Sequence, residues 1–233
     1  MLRLRGHLRH LLGICRLPSN GRQSRLGCRI FAAFPQLRLQ RDFCMNSREQ
    51  ERQQKMLTQE IQSAVSVVDA FDVLDQGLAD DIKLNQYHAT AVLCQVARRI
   101  RDIPAEAQDV NLYSGLISDM RLMLVNGGTD TRTATNLLWA VAVVHRKVPA
   151  VKELVPELSR QLPNMISKMN AQDVCNSLWA VATLQRHEPT LLDLVSDLLE
   201  RARRLANLMQ VEDVSSTMWV LRSLRGIMTS FRS

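Results

Sequence analysis

Three stretches of the chain are copies of one another. Thr129–Val144 reads TDTRTATNLLWAVAVV, Met169–Leu184 reads MNAQDVCNSLWAVATL, and Met209–Leu224 reads MQVEDVSSTMWVLRSL. Their tryptophans, Trp139, Trp179 and Trp219, are spaced by 40 residues and again by 40. Matching columns hold Asn136 and Asn176; Leu138, Leu178 and Met218; and Val141 and Val181. A fourth, weaker copy, LNQYHATAVLCQVARR from Leu84, puts Cys94 in the tryptophan column, 45 residues before Trp139. Its five extra residues are expected in the loop from Arg101 to Gln108.

Periodicity makes each copy a helix. Asn85, Asp130 and Asn170 stand where a short side-chain oxygen can cap the first backbone N–H groups, with Thr133, Asp173 and Asp213 three residues on. Gln210 is a poor cap, so the last copy should start less cleanly. Leu137 to Val144 is apolar on every side, which marks a helix buried between neighbours. Amphipathic partners are expected over 110–125, 151–169 and 191–209, with Pro156 and Pro163 kinking or splitting the second. An earlier helix, about Met56 to Leu78, partners the Leu84 copy. Two helices per 40 residues predict an all-α fold, an armadillo- or HEAT-like α-solenoid of about four helix-pair repeats over 81–233. Residues 45–80 form the helix or helices capping the array. The last copy has no polar element over it, so its surface should be sticky, covered by a partner or continued in a longer protein.

Composition agrees and excludes much. Of 233 residues 46% are apolar and 23% charged, an ordinary globular balance. The longest apolar run, Leu137–Val144, is far too short to cross a bilayer. The net charge of +7 is unevenly placed: residues 1–41 hold nine Arg and no acid, so the remainder carries 21 basic and 23 acidic residues, a net −2. Residues 1–44, basic and studded with Leu, Ile and Phe, read as a disordered mitochondrial presequence, with a plastid as the alternative address. Both Arg29-Ile30-Phe31-Ala32 and Arg41-Asp42-Phe43-Cys44 look like cleavage sites. The plainer alternative is a basic tail that binds phosphate or membrane.

No catalytic or metal-binding constellation is legible, and no cofactor is expected. His88, His145 and His187 fall in separate copies, with no H-E-x-x-H, no G-x-S-x-G and no phosphate-binding glycine pair. Of the five cysteines, Cys94 and Cys175 fall inside apolar helical patterns and read as small buried hydrophobes. The chain reads as a non-enzyme.

The motif AQDVCNSLWAVA, Ala171 to Ala182, resembles the octotricopeptide repeats of algal organelle proteins. It is similar to the repeats of FAST-kinase-like and RAP-domain proteins, and to an armadillo-like subunit of the RNA-editing substrate-binding complex of trypanosome mitochondria. The resemblance covers about Leu84 to Arg225, closely in two copies and partially in two. It implies an organellar RNA-binding α-solenoid acting in RNA processing, stability or editing within a ribonucleoprotein complex. The partners implied are single-stranded organellar transcripts and other proteins of the complex. These 233 residues include no RAP-type domain, and the repeats are fewer than in the longer members.

Candidate RNA contacts follow from the columns. Polar residues near the helix starts, Tyr87 and His88, Arg132 and Thr133, Gln172 and Asp173, Glu212 and Asp213, vary between copies as base-reading positions would; helix capping is the alternative. Arg101, Arg146 and Arg186 follow seven residues after the tryptophan column, with Arg225 one residue early in the last copy. Arg99, Lys147 and Arg222 thicken this row. Stacked helices would align these residues about 10 Å apart, suited to following phosphates; complementing helix C-termini is the alternative. Trp139, Trp179 and Trp219 read as structural core rather than a stacking ladder, and Asn136 and Asn176 as structural bridges to backbone. The second functional reading is a protein-binding scaffold of an organellar complex without RNA contact.

Overall fold

The computed structural model describes residues 47–101, 103, 110–127 and 129–230, all within one compact unit, Leu39–Ser233. The expected presequence lies outside the described residues, as does most of the loop over 101–108. Nine α-helices are present among the described residues: α1 Ser47–Ser63, α2 Val67–Ala79, α3 Gln86–Arg98, α4 Val110–Val125, α5 Thr131–Val144, α6 Val155–Gln161, α7 Ala171–Leu184, α8 Val195–Leu205 and α9 Val211–Ser230. Among the described residues there is no strand, and this part of the chain is all-α. No helix among them is long and apolar enough to cross a membrane.

The repeat helices start where their caps put them. Asn85 Oδ1 accepts the Tyr87 and His88 N–H groups, Asp130 Oδ1 that of Thr133, and Asn170 Oδ1 that of Asp173. Asp173 reaches back to the Asn170 N–H, closing a capping box. At the last copy Gln210 is held only at its backbone, its N–H donating to Asp213 Oδ2 at 3.1 Å.

Helices α3, α5, α7 and α9 pack in succession, with α1 against α3 at the head. Contacts at both ends make the row parallel. At the N-terminal turns, Thr135 Oγ1 donates to Asp173 Oδ1 at 3.2 Å, and Cys175 Sγ, one repeat on, meets the Asp213 carbonyl and Thr217 Oγ1. At the C-terminal ends the His145 and His187 rings meet edge to face, 5.3 Å between centroids. Thr90 holds the corresponding place on α3, and its buried hydroxyl finds no partner. The residue offered by the next copy is Thr133 rather than an acid, and its hydroxyl already donates to Asp130.

A second layer covers this row. Helix α2 lies on α1 and α3, α4 packs on 149–154, 149–161 returns along α5, and 189–205 returns along α7. Phe71 of α2 meets Tyr113 of α4 edge to face. Gly77 lets α2 approach α1, since a Cβ there would fall 2.5 Å from a Leu57 methyl.

The segment over 151–169 is split, as expected, whereas those over 191–209 and 56–78 differ from expectation. Residues 151–169 form a composite of 3₁₀ turns around a short helix: Pro149–Leu154, α6, Leu162–Asn164 and Ile166–Lys168. Pro156 and Pro163 stand in the first turn of their pieces, where a missing N–H is harmless. The next segment repeats the pattern without internal prolines, Pro189–Leu194 then α8 then Ala206–Leu208. Pro149 and Pro189, 40 residues apart, begin both, and Val151, Leu154, Val155 and Leu158 match Leu191, Leu194, Val195 and Leu198 as buried columns. The single helix expected over 56–78 is two helices. Ser66 caps α2 by accepting the Asp69 N–H, while Asp69 Oδ2 accepts the Val65 N–H, so the chain turns between α1 and α2.

The tryptophans do not form the innermost layer. Leu138, Ala140 and Val141, with their counterparts Leu178, Ala180 and Val181, are 0% exposed. Trp139 and Trp179 are half-buried, and Trp219 is 48% exposed. On α5 and α7 nearly every position outside the indole column's face is buried, and the indoles fall on the remaining arc. Accordingly, Leu178→Ala should cost about 2–5 kcal/mol of stability and Trp219→Ala no more than about 1 kcal/mol; urea unfolding followed by circular dichroism measures both.

Candidate nucleic-acid interface

Residues four, seven, eleven and fourteen positions apart share one helical face at 100° per residue. On α5 that face carries Arg132, Asn136, Trp139 and Val143, with Arg146 just beyond the helix; on α7 it carries Gln172, Asn176, Trp179 and Thr183, with Arg186 beyond. Within each set the first and last residues are the more open and the middle three half-buried, while nearly every other position of both helices is buried. On α3 the face runs through Tyr87, Cys94 and Arg98 toward Arg101, and on α9 through Glu212, Ser216, Trp219 and Ser223. The open surface of the row is therefore built from one column at the helix starts, an asparagine and indole band in the middle, and arginines at the far end.

This geometry splits the helix-start pairs. The second member of each turns inward and caps. His88 is 0% exposed, Thr133 and Asp173 are 7% exposed, and the Asp213 carboxylate is taken by the Gln210 N–H. His88, Thr133 and Asp173 are thus not available to a base, because the third residue of a capped helix points back over its own first turn. The first members remain exposed: Tyr87, Arg132, Gln172 and Glu212. Tyr87 is also tied to its neighbour, its phenol hydrogen-bonded to the Asp130 carboxylate; burial and that charge push the phenol up. Asp130 itself is held below the usual carboxylate range by hydrogen bonds from Thr133, Tyr87 and the Arg132 backbone, which outweigh its burial.

At the far end Arg101, Arg146 and Arg186 are all exposed, and none has an ion pair among the described residues. Lys147 is exposed beside Arg146, and Glu188 near Arg186 accepts a hydrogen bond from Thr190. Arg99 is spent on structure, donating to the Ala64 and Val65 carbonyls at the α1–α2 turn. The row ends at Arg186, because α9 continues to Ser230 where α5 and α7 stop, and Arg225 falls within that helix. The 14 residues of α5 span about 20 Å, so one nucleotide cannot touch both the helix-start column and the arginine row. The asparagine and indole band lies between them.

Asn136 and Asn176 are half-buried on this face. The Asn136 hydrogen bond that the structure shows is at its backbone carbonyl, from the Cys94 thiol at 3.9 Å, not at its carboxamide. Cys94 and Cys175 are buried and form no disulfide, and burial pushes the Cys94 thiol up to about 11. No cluster able to hold a metal ion is present among the described residues. No family model, curated protein or solved structure matches the chain.

Two buried imidazoles make the row sensitive to acid. His88 Nε2–H donates to the Gln54 carbonyl while its Nδ1 accepts the Asn85 N–H; His145 Nδ1–H donates to the Ala142 carbonyl. Burial holds both below the usual imidazole range, and at His145 the charges of His187, Arg146 and Lys152 add to this. Each is neutral in the fold, and below about pH 6.5 the unfolded chain binds more protons, so stability is full above that pH and falls as pH drops through it. Gln185 occupies the His145 column in the next copy and makes the same bond, Nε2–H to the Ala182 carbonyl at 2.9 Å. His145→Gln should therefore keep the neutral-pH melting temperature and shrink its drop between about pH 7.5 and about pH 5.5. A calorimetric pH series checks this.

Proposed function

We propose that the chain is an organellar RNA-binding protein whose repeats form a short α-solenoid, acting in transcript processing, stability or editing. The observation that carries the reading is the open arginine row, Arg101, Arg146 and Arg186, at one register position of three successive copies with no acidic partner among the described residues. A single strand laid along it would place phosphates on the guanidinium groups and turn bases toward Trp139 and Trp179. There the indoles offer stacking surface and the Asn136 and Asn176 carboxamides offer hydrogen bonds to base edges. Cations at helix C-termini also complement the macrodipole, and the two roles are compatible. At about one base per repeat, four repeats specify about four nucleotides, so the isolated chain binds weakly and mainly through phosphates.

The second reading, a protein-binding scaffold of an organellar complex, is favoured by the apolar side chains left exposed on α9, Val211, Met218 and Trp219 among them. The proposed address is the mitochondrion. A reporter fused to residues 1–46 should be imported there, and cytosolic retention would contradict it.

The RNA reading is tested by replacing Arg101, Arg146 and Arg186 with Gln and titrating a fluorescent single-stranded RNA at several salt concentrations. The slope of log affinity against log salt should flatten by about 2, at about 0.7 for each phosphate no longer neutralised, for all sequences alike. An unchanged slope and affinity would remove the row from the site.

A further inference from the structure

The seam between α5 and α7 places a titratable group inside the arginine row. His187 is exposed and stands one residue after Arg186. Its ring meets that of His145, the residue before Arg146, edge to face at 5.3 Å. The imidazole pair therefore bridges the two helix ends, between Arg146 and Arg186.

The seam is cationic. The charges of His187, Arg146 and Lys152 all bear on His145, and Lys147 and Arg186 are exposed beside them. Arg222 on α9 is a further exposed cation. Neither ring has an ion pair among the described residues. The carboxylates on the segments packed around the pair are turned elsewhere or to water. Glu188 accepts the Thr190 hydroxyl, Glu157 pairs with Arg160, and Glu153 and Asp193 are exposed.

The two rings are unequal. Two imidazolium charges 5.3 Å apart repel, so the pair takes up one proton far more readily than two. Burial assigns that proton to His187. His145 is 5% exposed and its Nδ1–H is already spent on the Ala142 carbonyl, so a charge there would lose its water, whereas a charge on His187 keeps it. With arginines on both sides, the counter-charge that suits a protonated His187 is an anion laid across the seam. A strand whose phosphates follow the row supplies one.

We propose that His187 is a phosphate contact of the bound RNA strand that engages by taking up a proton, so that RNA affinity rises as pH falls. This rests on the RNA reading and adds to the fixed charges of the row one that pH switches. The phosphate favours the charged ring, and one proton taken up per strand raises affinity by at most about tenfold per pH unit.

The test is titration of the full chain with a single-stranded uridine oligomer, whose bases do not titrate near neutrality, at about pH 8 and about pH 6, below the melting temperature at each. The wild type should bind about three- to tenfold tighter at the lower pH, with a salt slope steeper by about 0.7. His187→Gln should lose that gain, and His187→Arg should show the steeper slope at both pH values. Because the ring is exposed, both variants should keep the wild-type circular dichroism. A wild type that binds equally at the two pH values, or a His187→Gln chain that keeps the wild-type dependence, overturns the proposal and leaves the arginine row standing on its own salt slope at about pH 8. Absence of RNA binding at either pH overturns both.

Discussion

Helices α5 and α7 are covered on three sides, and the rest of the structure follows from that demand. One face of each meets the preceding row helix, one the following row helix, and one the segment that returns along it. The columns on these faces, Leu138 with Leu178 and Val141 with Val181, have no exposed surface. Such a helix has no stable existence alone, so the unit is held by its seams. The buried polar groups at the seams follow the same logic. Asp173 closes the cap of α7 and accepts the Thr135 hydroxyl of α5 at once, so beginning a helix and docking it on its predecessor are one event.

The same constraint produces the candidate interface. With three sides committed, only one arc of each row helix meets solvent, and whatever the repeat offers a ligand must stand there. That arc holds variable residues at the helix starts, a repeated asparagine and indole in the middle, and arginines at the end. On α9, which has neither a following row helix nor a returning segment over it among the described residues, columns buried on α7 are bare, and an exposed apolar stripe is the result.

The repeat is legible because the indole is a rare residue at a fixed interval and because Asn85, Asp130 and Asn170 are caps of ordinary chemistry. The break between α1 and α2 is equally open to reading, in Ser66 and Asp69 with their capping spacing, but the apolar run around it suggests one continuous helix. The paired prolines Pro149 and Pro189 mark the composite second layer and are outweighed by Pro156 and Pro163. The open arc is harder to find. Within Leu137–Val144 every residue is apolar, so nothing in that run marks which side faces water, and the tryptophans read as core. The mark lies outside the run: Arg132 and Arg146, seven residues either side of Trp139, share its face. Which of two adjacent polar residues at a helix start turns inward depends on cap geometry, and this separates His88 from Tyr87.

The account rests on each row helix being stable only through its neighbours, and hydrogen exchange followed by mass spectrometry on the wild type and a Leu138→Ala chain tests that most directly. The account predicts that removing this one side chain from α5 speeds exchange across α3 and α7 as well, with α1 and α9 less affected. Loss of protection confined to α5, with α3 and α7 exchanging as in the wild type, would contradict it.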